Sequence, residues 1–508
     1  MIKYLNSNIK LISLILVVAL LIFHLWSLSI YPIPWFDETF YASIAQDFQL
    51  RGHFYPWVAP FCYEFHECVT YGPVYFFIQA FVYSLIGINC FASKFSGFFF
   101  GVLMVFTYVK LYRTGAPNGL RWIEYLLLLS LFFDYTVFES FHLGRMEPVT
   151  IFFLNVSVLL QLKSLQLKNP KQQYRLAIIY SLFAVLAVLT TPRTLILLIP
   201  SGLLIIYTWI KEKRSSRFFE LVILGSVFIT FISIWIFYAH GNIENMINYY
   251  KIVNDSSHYW FSFSLRDSIY IYQYPTVVVS ILISIITAVI LKKKFWNLLT
   301  FYCIASILLF YGLVYMLRPY CIYTIPLFYL LAAHSLNMLY QSEIASKFYK
   351  TVSTAAFIGI FVLMFGGVCA KGYYIFVSSS FRNPEAIDKF IQKNVPPHSK
   401  VIGDEIYYYT VLKSGSDFQY MHLGETNENR EKYQREVFDY DYILISDELL
   451  AFNPKVFKVY DANADLQLVA DFQPPLDPIT TLINKKRRGL VSFYSYNGHL
   501  YKRIKQKK

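Results

Sequence analysis

Long apolar runs separated by short basic clusters dominate this chain, and they restrict it to a polytopic α-helical membrane protein. The runs are Leu11–Ile30, Phe95–Tyr112, Trp122–His142, Pro148–Leu162, Leu176–Leu189, Leu195–Ile210, Leu221–Tyr238, Tyr270–Leu291, Phe295–Leu317, Cys321–Leu339 and Val352–Phe376. Most approach the ~20 residues that a helix needs to cross the hydrocarbon core. Only 15% of the 508 residues are charged, which rules out an ordinary soluble fold. The formal net charge of +13 invites a nucleic-acid partner, but the basic residues sit in clusters between apolar runs, where they set topology. No nucleic-acid interface is expected. Leu11–Ile30 has span length and no small-residue cleavage site after it, so it reads as the first transmembrane helix, not a signal peptide.

A further apolar segment, Pro73–Gly87, is short, and its placement fixes the orientation of everything after it. With this segment lying at the membrane surface and the N-terminus cytoplasmic, 18 basic residues fall in the short cytoplasmic segments. Seven fall in the outer ones: Arg51, Lys94, Arg145, Arg193, Lys251, Arg266 and Arg318. A spanning Pro73–Gly87 would invert that ratio, against the positive-inside rule. The expectation is therefore eleven spans plus a juxtamembrane helix, with residues 1–380 forming the transmembrane domain and 31–94 its first outer loop. Residues 381–508 are expected outside as a small α/β domain, with a buried-type strand at Tyr440–Ser446 and a hairpin in Ser492–Arg503 turning at Asn497-Gly498. Its basic end agrees with that side, because long translocated domains escape the charge rule.

This topology gathers costly groups on the outer side. Asp37 and Glu38 follow the first span, and Arg145 and Glu147 lie in the short turn His142–Pro148. Arg193 and Arg318 occupy later outer turns, and Lys94 the outer end of the second span. Taken singly, an arginine at a helix end snorkels to the headgroups, and Asp37-Glu38 caps the helix that follows. Taken together, guanidinium forks beside a carboxylate base are what an anionic, phosphate-linked leaving group requires. The stretch Glu64-Phe65-His66-Glu67-Cys68 offers Glu64, His66 and Glu67 as candidate metal ligands, although the spacing matches no defined site. Cys62 and Cys68 are either a disulfide or two free thiols.

Asp37-Glu38-Thr39-Phe40-Tyr41-Ala42-Ser43-Ile44-Ala45-Gln46-Asp47 resembles the first-loop motif of the GT-C membrane glycosyltransferases, which include protein O-mannosyltransferases and lipid A aminoarabinose transferases. Tyr71–Phe76, Gly144–Pro148 and Arg318–Leu327 are similar to that family's juxtamembrane Pro segment, second acidic site and late Arg/Lys-Tyr-Pro helix. The likeness covers roughly residues 1–340. It implies an inverting transfer of a sugar from a polyprenyl-phosphate carrier to an acceptor hydroxyl on a glycan, lipid or protein, at the outer face of a bacterial plasma membrane. Asp37 would be the base, with Glu38 and Glu147 as supporting carboxylates. Arg145, Arg193, Arg318, Lys94 and Tyr41 are the candidates for substrate binding. No cofactor motif is legible, and a divalent cation is the one cofactor left open. Aminoarabinose transferases carry a Lys just before the juxtamembrane Pro, where this chain has Thr70-Tyr71-Gly72; the departure leaves the sugar open. A transporter or flippase for a lipid-linked or anionic solute is the competing reading, with Asp134 inside the third apolar run as its support. No internal repeat accompanies it.

Overall fold

The computed structural model describes residues 2–58, 71–238, 273–314, 318–421, 439–452, 454–473 and 496–506. Its N-terminal part is helical: α1 (Ile2–Ser27), α2 (Phe36–Arg51), α3 (Val74–Ile86), α4 (Cys90–Gly115), α5 (Arg121–Phe132), α6 (Tyr135–Ser140) and α7 (Glu147–Gln166). There follow α8 (Pro170–Val188), α9 (Thr194–Glu212), α10 (Ser215–Tyr238), α11 (Tyr274–Leu291), α12 (Leu298–Leu313), α13 (Ile325–Gln341) and α14 (Lys347–Val377). Among the described residues eight helices are long and apolar enough to cross a membrane. The protein is an integral membrane protein, and its bundle faces show it: α1 exposes Leu11, Leu14, Ile15 and Ile22, whereas α13 is almost wholly buried. An apolar side chain facing lipid needs no protein partner, so exposure here marks the bilayer.

The third expected span does not form as one helix. Asp134 breaks it, accepting hydrogen bonds from Thr136 N (2.8 Å) and Val137 N (3.2 Å) as the N-cap of α6. A carboxylate that satisfies free N–H groups starts a new helix instead of continuing the old one. The α5–α6 break therefore accounts for Asp134, which also accepts from Tyr329 Oη (3.2 Å). By contrast, α3 forms where a juxtamembrane helix was expected, and its 13 residues reach about 20 Å, short of the hydrocarbon thickness.

The C-terminal part is a five-stranded sheet beside α15 (Pro384–Asn394). Its strands are β1 (Lys400–Gly403), β2 (Asp417–Tyr420), β3 (Tyr442–Ile445), β4 (Ala464–Phe472) and β5 (Gly498–Gln506), in the order β2-β1-β3-β5-β4. β1 runs parallel to β2 and β3, and β5 runs antiparallel to β3 and β4. The strand expected at Tyr440–Ser446 is β3. Of the hairpin expected in Ser492–Arg503, residues 492–495 lie outside the described residues; Gly498 begins β5, whose partners among the described residues are β3 and β4.

Candidate active site

Helix α2 carries the acidic pair and is held from three sides. Trp35, its N-cap, donates from Nε1 to Leu143 O (3.1 Å), which ties the helix start to the loop bearing Arg145. Tyr75 on α3 donates to Gly144 O (2.7 Å), securing the same loop. Gly144 has a φ of 58°, and a Cβ there would lie 2.8 Å from Glu38 Cγ, so only glycine lets the loop approach α2 this closely. On the remaining side the C-terminal domain covers α2. Tyr420 shares a hydrogen bond with Thr39 Oγ1 (2.5 Å), Tyr408 donates to Gln46 Oε1 (2.7 Å), and Tyr420 N donates to Val58 O (3.0 Å).

The two acidic neighbours separate completely. Asp37 has a one-third exposed side chain and pairs with Arg145 Nη1. Arg145 turns its other edge to Glu147, donating from Nε to both carboxylate oxygens (3.1 and 3.0 Å) and from Nη2 to Oε1 (2.7 Å). One fork thus fixes two carboxylates. Burial works against the Arg145 charge, but Glu147 and Asp37 outweigh it and push its pKa well above the ordinary guanidinium value. Glu38 faces the other way, accepting from Ser93 Oγ (2.6 Å) and lying 3.8 Å from Lys94 Nζ. Burial pushes its carboxyl up to about 7, against the opposing pull of Lys94, Ser93 and Tyr409. Neither Asp37 nor Glu38 makes a side-chain cap; both remain in the first turn, where negative charge favours the helix.

The expected substrate-binding residues divide likewise. Lys94 is fully buried, paired with Glu38 and donating to Pro32 O, so it ties the entry loop of α2 to α4. Glu38, equally buried, is the carboxylate facing it. Arg193 is half-buried, its guanidinium 4.1 Å from the Tyr320 ring, with neither a hydrogen-bond nor an ion-pair partner among the described residues. Arg145 lies 5.6 Å from the same ring, so Tyr320 is shared by both cations. Tyr41 is 6.0 Å from Arg145 and meets Tyr71 edge-on at 5.3 Å. Gly72 explains how the juxtamembrane segment joins this layer: a Cβ there would meet Leu189 O at 1.8 Å, and Val74 N donates to that same carbonyl (3.2 Å). The segment therefore rests on the end of α8, just before the Arg193 turn.

The backbone of Arg318 opens a 3-10 turn, Arg318–Tyr323, that packs against α6 and α7; its side chain is outside the described residues. Glu64, His66, Glu67, Cys62 and Cys68 also lie outside them. Among the described residues no three His, Cys, Asp or Glu side chains form a metal-ligand group. Asp37 and Glu147 have the Arg145 guanidinium between them, a donor set unsuited to a divalent cation. Two features lay beyond sequence reasoning. His142 accepts or donates at Ser27 (2.9 Å) and His24 (3.3 Å), pinning the Arg145 loop to α1. Glu405, from a turn of the C-terminal domain that packs against α2, has its carboxyl raised by burial and, less, by the charge of Asp37.

The helical membrane bundle, with an acidic helix under a small α/β domain, is a fold that solved structures share. No protein-family model and no curated protein matches the sequence. Among solved structures, ArnT from Cupriavidus metallidurans bound to undecaprenyl phosphate is similar at a TM-score of 0.61 and 13% identity, covering 96% of this chain and 97% of that one. Its apo state gives 0.60 and 12%, covering 97% and 98%. The archaeal oligosaccharyltransferase AglB from Archaeoglobus fulgidus, in complex with an inhibitory peptide and a dolichol-phosphate, gives 0.54 and 10%, covering 93% and 73%.

Proposed function

We propose that the protein is an inverting glycosyltransferase that moves a sugar from a polyprenyl-phosphate carrier to an acceptor hydroxyl at the outer membrane–water interface. The observation that carries this reading is the pair of guanidinium groups around Tyr320. Arg145 is saturated by carboxylates, while Arg193 keeps its donors for an incoming anion. In a single displacement, Asp37 takes the acceptor proton as the hydroxyl attacks the anomeric carbon from the face opposite the leaving group. The carbon–oxygen bond to the carrier breaks, and Arg193, joined by Arg318, holds the negative charge that collects on the phosphate. Arg145 and Glu147 orient Asp37, Tyr41 walls the site, and Lys94 with Glu38 holds α2 in place.

This chemistry suits a cytoplasmic N-terminus with the C-terminal domain (residues 381–508) outside a bacterial plasma membrane, a lipid-linked donor and a glycan, lipid or protein acceptor. The ArnT and AglB complexes, which hold undecaprenyl phosphate and dolichol-phosphate, lend support through the shared fold. The test is transfer by the purified protein in lipid nanodiscs, using a panel of radiolabelled polyprenyl-phosphate sugars and a mixed envelope extract as acceptor. Labelled product supports the reading. Absence of product with every donor, together with labelled carrier crossing proteoliposomes, would favour a flippase.

A further inference from the structure

A second cationic site lies at the ends of α1 and α14. Arg382, five residues past α14, is only 1% exposed. Its guanidinium lies between two rings, 4.9 Å from Tyr374 and 5.4 Å from Tyr31, and Nη2 donates to Tyr374 Oη (2.6 Å). Nη1 is buried and, among the described residues, has no hydrogen-bond partner. Lys371 Nζ approaches the same Tyr31 ring at 4.5 Å and pairs with Glu139 Oε1 (3.2 Å), which also accepts from Tyr31 Oη (2.6 Å).

The comparison with Arg145 is instructive. There, two carboxylates more than offset burial. At Arg382 burial wins and pulls the pKa below the ordinary guanidinium value, against the upward pull of Tyr374, Tyr31 and Glu139. A buried guanidinium left with a phenol and an unused donor is an expensive arrangement unless an anion completes it. The setting faces lipid: Trp26, Tyr373 and Phe376 are exposed on the adjoining ends of α1 and α14, as in an interfacial aromatic belt.

We infer that Arg382 and Lys371, walled by Tyr31 and Tyr374, form a second anion site that takes a phosphomonoester of the kind carried by a lipid headgroup. The fork of Arg382 supplies the geometric selectivity, and Lys371 the second charge. The site is joined to the Asp37 layer by α6 and the 141–146 loop, so an occupant would sit beside the transfer site without sharing its residues. The inference concerns binding and stands whether or not sugar transfer is found.

The experiment uses the full chain in phosphatidylcholine nanodiscs, on an Arg193→Gln background that silences the other anion contact. Dioleoyl phosphatidic acid is titrated and bound lipid counted by native mass spectrometry, with thermal stability followed in parallel. Adding Arg382→Gln is expected to weaken phosphatidic acid binding at least tenfold and to abolish its stabilisation. Arg382→Lys, which retains a cation beneath the rings, is expected to weaken it severalfold and keeps the test valid should the Gln variant fail to fold. Competition by inorganic phosphate would support the site with free phosphate as its ligand; competition by lipid phosphate alone would support a headgroup. Unchanged phosphatidic acid affinity in folded Arg382 variants would overturn the inference and leave Arg382 as a stacking element.

Discussion

Replacing Arg145 by lysine separates charge from geometry at the centre of the site. The guanidinium makes three contacts to Glu147 and a fourth to Asp37, using both of its edges. A lysine ammonium retains the positive charge but is a single point on a flexible stem, and it cannot bridge both carboxylates. The outcome expected is that it stays with the more deeply buried Glu147 and releases Asp37. Losing one charge-assisted bond costs about 1.5–3 kcal/mol when the acceptor stays dry. Asp37 is one-third exposed, so water recovers part of that, and the loss of stability lies at or below the lower end. The kinetic effect is larger, because a base that drifts by ~1 Å loses about 10²-fold in rate. Initial rates of transfer from a radiolabelled polyprenyl-phosphate sugar, measured beside melting temperature, are the assay. A folded Arg145→Lys protein working within threefold of wild type would refute the idea that this fork positions Asp37.

Other expectations follow from the same geometry. Among the described residues Arg193→Gln removes no hydrogen bond or ion pair and only the cation–π contact with Tyr320, so melting temperature falls little while KM for the lipid-linked donor rises at least tenfold; an unchanged KM would remove Arg193 from the phosphate site. Glu38 is held at about 7 in the folded chain against 4.5 as its reference, a displacement of roughly 2.5 pH units. At about 1.4 kcal/mol per unit, that is about 3 kcal/mol. The folded chain keeps a proton there that the unfolded chain has lost, so stability falls as pH rises from 4.5 to about 7 and this contribution is constant on either side. The double variant Glu38→Gln/Lys94→Met, which removes the buried pair together, is expected to flatten that slope in melting temperature against pH; a slope equal to wild type would assign it elsewhere. Gly144→Ala forces a Cβ against Glu38 in a left-handed backbone, and about 1–3 kcal/mol of destabilisation with impaired transfer is expected from that strain. Wild-type melting and rate would contradict it.

How far the sequence carries depends on whether a contact is local. Apolar runs yielded the helices, and the shortness of Pro73–Gly87 anticipated α3. Arg145 stood out because its charge opposes the topology bias, Glu147 because its turn resembles the family's second acidic site, and the structure brings both to Asp37. Lys94 and Glu38 were harder. Each is a charge beside a span, and nothing local says that they neutralise one another across α2 and α4. Asp134 looked like an intramembrane charge, although the Thr and Val that follow it now read as the start of a capped helix. The Asn497-Gly498 signal says nothing of the pairing of β5 with β3 and β4, which come from far along the chain. The covering of α2 by Tyr408, Tyr420 and Glu405 joins residues more than 350 positions apart, beyond any pattern of spacing.

The central claim is that Asp37, and not its neighbour Glu38, takes the acceptor proton. Single-turnover transfer from a radiolabelled polyprenyl-phosphate sugar tests it most directly, comparing wild type with Asp37→Asn, with the folded state of each confirmed by melting. The account predicts a fall in rate of at least ~10²-fold for Asp37→Asn, the usual worth of a general base, with donor binding retained. Transfer by Asp37→Asn at the wild-type rate would contradict it.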